Sequence, residues 1–256
     1  ASAYEAAVKY LSLGIDLLSP DSWVSNYDLT LALYTEAMEA EYFYTNFDRT
    51  ESLGQIILAK AKTLLDRIKV YEIQMQMYAA QHQIIKAIEI GMQALDTMGI
   101  SLAKIPEHQD KIVKLPAVEE LENFPEMTDP YQLAALRILM NLLAPALHTK
   151  SDIFPQLVLT MVHLGLEKGH SALSAFTYSW YGTMLCGAGE LETGYLAAQL
   201  SLKLLEQFQA TSLKCQVYNM VYAFIFHWKQ PVKDTINAFI DGMQSGLEMG
   251  DLEYAS

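Results

Sequence analysis

The sequence predicts an all-α protein, a right-handed superhelical array of antiparallel helix pairs, on three observations. Apolar residues recur at helical spacing through nearly all of its 256 residues. Alternating β-branched runs bounded by turn residues are absent. Aromatic and small residues return at offsets close to one helical-hairpin length.

Taken in order, the first helical pattern runs through Val8, Leu11, Ile15 and Leu18, and the next through Leu29, Leu33, Ala37, Ala40 and Phe43. Turn chemistry separates such segments at SPDSW near Pro20, TNFDRT near Asn46, AQHQ near His82, HTKSDIFP near Lys150, GAGE near Gly189 and WKQP near Pro231. Ser151 or Asp152 is positioned to cap the following helix, and Pro155 falls in its first turn, where a missing amide donor costs little. Pro145, inside NLLAPALH, predicts a kink or a helix end. Residues 101–130 hold four of the eight prolines and an acidic cluster at Glu119, Glu120 and Glu122; this segment reads as a long connection containing one short helix. The whole chain, 1–256, is expected to be one continuous helical repeat domain, with sub-blocks 1–100 and 131–256 sharing a core across that connection.

The repeat shows at Tyr178, Tyr181, Gly182 and Leu185, with Gly194 nine positions beyond Leu185. Tyr71, Gln74, Met75 and Tyr78 stand at the same offsets, with Ala87 nine beyond Tyr78, and a third copy begins at Tyr34. Phe47, Ile84 and Leu191 match one another at the turn between helices. This is a degenerate tetratricopeptide-like pattern: Met38, Gln74 and Met75 depart from it and the closing proline is missing. Small residues at Ala87, Gly182 and Gly194 let helix backbones approach, and Tyr34, Tyr71 and Tyr178 fill space between pairs. The first helices of successive pairs line the concave side of such an array. That geometry nominates Glu39, Tyr42, Lys69, Glu72, Gln76, Ser179, Thr183 and Cys186 as a candidate binding groove.

Charge and composition narrow the function classes. Thirty acidic against 17 basic residues give a net charge of -13, which repels phosphate backbones, so no nucleic-acid partner is expected. The most apolar stretches are short or carry Arg137 and Asn141, so membrane insertion is not expected either. Cys186 and Cys215, without CxxC spacing, build neither a disulfide framework nor a zinc cluster, and a reducing cytoplasm fits best.

The sharpest enzymatic candidate is HLGLEKGH, where His163, Glu167 and His170 fall on one helical face at a spacing that can hold zinc. Gly169 is expected to end that helix, no fourth ligand is apparent, and His170 then reads as a cation at a helix C-terminus. His82, His108, His148 and His227 stand singly near turns, and Glu36, Glu39 and Glu41 read as a solvated face. No catalytic residue, metal site or cofactor is expected.

Several longer segments together carry a family likeness: LTLALYTEAMEAEYFYTNF, LDRIKVYEIQMQMYAAQHQIIKAIEIGMQALDTMGISL, LENFPEMTDPYQLAALRILMNLLAPAL, GYLAAQLSLKLLEQF and GLEMGDLEYAS. They resemble the helical middle region of very large bacterial signalling proteins, well represented in cyanobacteria. Those proteins join a serine/threonine kinase-like domain, an AAA-type ATPase, this array, a GAF sensor and a histidine kinase. The resemblance implies a segment that transmits signals by contact with other domains of the same polypeptide or with a protein or peptide partner. Kinase and ATPase motifs are absent from the chain itself. The alternative is a peptide or small-molecule sensor arm of an ATPase-coupled regulator; a metal-dependent enzyme using His163 and Glu167 is more remote. YEAAVKYLSLGIDLL reads as the second helix of a pair, and GDLEYAS as the start of another helix. The sequence is therefore expected to be a piece with exposed apolar ends that allow dimerisation.

Overall fold

The computed structural model describes residues 2–105 and 113–249, and the regular elements within them are all helical. The helix start expected at GDLEYAS and the single His108 lie outside the described residues. In order the helices are α1 (Ser2–Asp16), α2 (Ser22–Ser25), α3 (Tyr27–Phe43), α4 (Phe47–Lys60), α5 (Leu65–Ala80) and α6 (Ile84–Thr97), then α7 (Pro130–His148), α8 (Ile153–Lys168), α9 (Ala172–Gly187), α10 (Leu191–Gln207), α11 (Lys214–Tyr218) and α12 (Val232–Met249). The 3-10 turns Val118–Asn123, Thr211–Leu213 and Phe226–Trp228 and a π-helical turn at Asn219–Ala223 complete the elements of the described residues. Among the described residues, no helix is long and apolar enough to cross a membrane.

Three pairs, α3/α4, α5/α6 and α9/α10, close through the same three-residue turn. Tyr44, Gln81 and Ala188 continue the right-handed helical backbone. Thr45, His82 and Gly189 then take positive φ, at 63°, 59° and 89°. Asn46, Gln83 and Glu190 follow with φ near -90° and ψ between 56° and 73°. In each turn the last residue's amide donates to a carbonyl five residues back, Asn46 to Glu41, Gln83 to Tyr78 and Glu190 to Leu185. This is the Schellman arrangement, which satisfies carbonyls that a helix end would leave bare. Lys150 closes α7 in the same way, and Gly99 and Gln209 close α6 and α10.

By internal contacts the chain divides into two units. Unit 1 comprises Ala1–Ser101 with Arg137–Ser151, and unit 2 Leu102–Leu136 with Asp152–Ser256. In unit 1, Ala37, Met38, Leu53, Ile57, Val70 and Ile73 form a buried cluster, against which Leu11, Ile15, Trp23 and Tyr34 pack. The rings of Trp23 and Tyr34 stand 5.0 Å apart. Tyr71, Tyr78 and Ala87 are buried in the same unit. The N-terminus of α5 is clasped by Asp66, whose carboxylate accepts from the Tyr27 hydroxyl at 2.6 Å and the Thr63 amide at 2.8 Å. Together these bonds hold the carboxyl of Asp66 below its ordinary range, although burial opposes them.

In unit 2, α9 and α10 approach so closely that a Cβ built at Gly182 would stand 2.9 Å from the Gly194 carbonyl oxygen. Ser201 donates to the Ala175 carbonyl across the same pair. The connecting segment is pinned here as well. The Ala103 amide donates to Thr160 Oγ1 at 2.8 Å, the Val113 amide to the Tyr181 hydroxyl at 3.0 Å, and Leu115 and Met127 are buried. Pro145 lies in the last turn of α7, which ends three residues beyond it at His148.

Candidate functional site

Within unit 1, side chains from three helices join into one polar strip. Lys69 on α5 donates to Glu39 Oε1 on α3 at 2.6 Å, and Arg137 on α7 donates through Nε to Glu72 Oε1 at 2.7 Å. Lys69 and Glu72 are one turn apart on α5, so the order Glu39, Lys69, Glu72, Arg137 alternates in sign across the three helices. The carboxylates sit deeper, with side chains 30% and 11% exposed, and the cations lie nearer solvent at 43% and 44%. Gln76, one turn beyond Glu72, is exposed, and Tyr42, one turn beyond Glu39, is half-buried with its ring 5.1 Å from that of Phe43. The ion pairs bring together Glu39, Lys69 and Glu72 and add Arg137, which the sequence presents as an interruption of an apolar stretch; Tyr42 and Gln76 follow one turn on along α3 and α5. A lone guanidinium in an otherwise apolar helix needs an anion, and that requirement was the available signal.

A second polar group in unit 1 ties α4, α5 and α6 together. The Tyr78 hydroxyl donates to Glu51 Oε2 at 2.9 Å, and the Lys86 ammonium sits 3.9 Å from the centre of the Tyr78 ring. Burial pushes the Tyr78 phenol above its ordinary pKa.

The three groove candidates in unit 2 are placed differently. Ser179 is fully buried and donates to the Phe176 carbonyl at 2.8 Å. Thr183, half-buried, spends its hydroxyl on the Ser179 carbonyl at 2.9 Å. Cys186 is buried, and burial raises its thiol pKa, so at neutral pH it is a small protonated hydrophobe. The expectation that Ser179 and Cys186 face a groove is corrected: α9 is enclosed by α8, α10 and the π-helical turn, which removes them from solvent.

His163 and Glu167 are exposed on α8, whereas His170 lies beyond the helix end and is buried. Among the described residues, no group of three or more His, Cys, Asp or Glu side chains is placed to hold a metal ion. His170 Nε2 shares a hydrogen bond of 2.8 Å with the Tyr178 hydroxyl, and the Phe124 ring lies 4.9 Å away. Its backbone is pinned too: the His170 amide donates to the Pro125 carbonyl, and the Met127 amide to the His170 carbonyl. Desolvation lowers the His170 pKa to about 4, so the expected helix-end cation is a neutral core imidazole. Glu36, Glu39 and Glu41 likewise do not act as one solvated face. Glu39 pairs with Lys69, while Glu41 is buried and accepts from Asn46 Nδ2 at 2.9 Å.

Compared with known proteins, the chain matches no family model and no curated sequence.

Proposed function

We propose that this chain is a protein-interaction and signal-transmission segment that works by contact, without chemistry of its own, and that it binds an extended peptide or a protein loop along the unit 1 strip. The reading is supported above all by the Glu39, Lys69, Glu72, Arg137 series, which presents two half-exposed cations over carboxylates already fixed by the fold. Such groups lose little side-chain entropy on binding, and they meet carboxylate, amide and carbonyl groups of a peptide with directional hydrogen bonds. Gln76 extends the strip with both a donor and an acceptor. The sequence resemblance adds the setting: a helical array between the catalytic ends of a large signalling kinase, reporting occupancy by population shift.

Selection of peptides on the folded chain tests this reading. Lys69→Ala and Gln76→Ala are each expected to weaken a selected peptide about 5- to 30-fold, and Thr183→Ser to leave it unchanged. Binding should also weaken with added salt. Peptides that bind the Lys69 and Gln76 variants as tightly as the parent would refute the strip as the contact surface.

A further inference from the structure

Helix α12 packs on its own unit with one face and displays another. The packed face is made of small residues: Thr235, Gly242 and Gly246 are buried, and a Cβ at Gly242 would stand 2.7 Å from Tyr218 Cβ. The displayed face is made of large ones. Val232 is 63% exposed, Ile236 49%, Phe239 39%, Ile240 50%, Met243 40% and Leu247 55%, and all six lie within one stripe of a helix of period 3.6. Four of the six, Val232, Ile236, Phe239 and Ile240, also line an open cleft of about 360 Å³ with Thr235, Tyr222, Ala223 and His227, so the stripe is continuous with a shallow apolar hollow at its N-terminal half.

The spacing of the stripe identifies its occupant. The intervals between successive members are 4, 3, 1, 3 and 4, which read the same from either end. A surface laid against an identical one across a two-fold axis must match itself in reverse, and an antiparallel helix pair imposes that condition. Centred between Phe239 and Ile240, such a pair sets Val232 against Leu247 of the second copy, Ile236 against Met243, and Phe239 against Ile240.

Charge selects the same direction. Lys233 and Asp234 lie in the first turn of α12 and Glu248 at its end, all exposed; Asp234 falls on the side of the helix away from the stripe, and Lys233 stands nearer its edge. Antiparallel pairing puts each Lys233 near Glu248 of the other copy, whereas parallel pairing would set like against like. Asp241 is already held inside the chain, by Lys214 at 2.7 Å. The helix dipoles favour the antiparallel arrangement as well. The six side chains are each between 39% and 63% exposed, and a specific pair must bury about 1,000 Å² in all, which the stripe reaches only with the rim of the adjoining cleft.

We infer that the α12 stripe is a self-association surface, and that two copies of this chain pair there as an antiparallel, two-fold helix dimer. The pair is independent of the unit 1 strip and stands whether or not that strip binds peptide.

Sedimentation equilibrium of the 256-residue chain is the direct test. A dimer is expected at tens of micromolar, and Ile240→Glu should raise its dissociation constant at least about 30-fold with unchanged far-ultraviolet circular dichroism. Lys233→Glu and Glu248→Lys should each weaken the dimer, and the two together should restore it. A chain that stays monomeric at about 500 micromolar, on the order of ten times the loading expected to suffice, would overturn the inference. So would a dimer indifferent to Ile240→Glu, or a charge swap that fails to restore association.

Discussion

The imidazole of His170 and the phenol of Tyr178 share a 2.8 Å hydrogen bond in the interior of unit 2, and the other ring nitrogen, Nδ1, is buried without a hydrogen-bond partner. Proton uptake by the folded chain would place a charge where Nδ1 finds no acceptor. The folded pKa is about 4 against 6.5 for the free side chain, so acid favours the unfolded chain. The stability this histidine supports is complete above about pH 6.5 and declines as pH falls toward 4, by up to about 3 kcal/mol. Urea midpoints at pH 7.5 and pH 5 should differ in the parent chain, and His170→Phe should flatten the part of that difference lying above pH 5.

Gly182 and Gly194 lie at the closest approach of α9 and α10. Gly182→Ala would push Cβ to 2.9 Å from a backbone oxygen and 2.8 Å from Ile225 Cδ1, and backbone cannot step aside cheaply. A loss of about 2–3 kcal/mol is expected by urea denaturation. Gly187→Ala, near the end of the same helix with nothing within 4 Å, is the control and should be neutral or slightly stabilising.

The common turn allows a matched pair of substitutions. His82 holds φ at 59°, a left-handed conformation that costs an L side chain about 1 kcal/mol, and His82→Gly should stabilise the chain by about 0.5–1 kcal/mol. Gly189→Ala, at the same position of the α9/α10 turn and in open space, should cost about 1 kcal/mol. Thermal unfolding midpoints moving in opposite directions would verify that the turns are equivalent.

The two ion pairs of the strip are unequal. Glu72 is the deeper carboxylate, and removing its partner by Arg137→Ala strands a nearly buried anion, at an expected cost of about 1–3 kcal/mol. Lys69→Ala frees the more exposed Glu39 and should cost under about 1 kcal/mol. Denaturant titration of both variants resolves the difference.

The helical character of the chain was legible because apolar spacing and turn chemistry agree. Phe47, Ile84 and Leu191, matched on sequence alone, are the first residues of α4, α6 and α10. The left-handed residues were not legible, since Thr45, His82, Lys150 and Gln209 carry no glycine signal and are held there by the helices they join. The fate of His170 was hidden for a different reason. Local sequence places it past a helix end, and the segment that buries it, Phe124 to Met127, lies more than forty residues earlier. Offset arithmetic carried Glu39, Lys69, Glu72 and Gln76 to one strip in unit 1. It failed for Ser179 and Cys186, because it contains no information about what covers a helix from outside the repeat.

Three hairpins are sealed by one backbone conformation. Tyr44 to Asn46, Gln81 to Gln83 and Ala188 to Glu190 trace the same path, so the three-residue junction of one hairpin meets the backbone requirement of the other two. An engineer exchanging loop sequences therefore has three positions at which one set of backbone angles must be met.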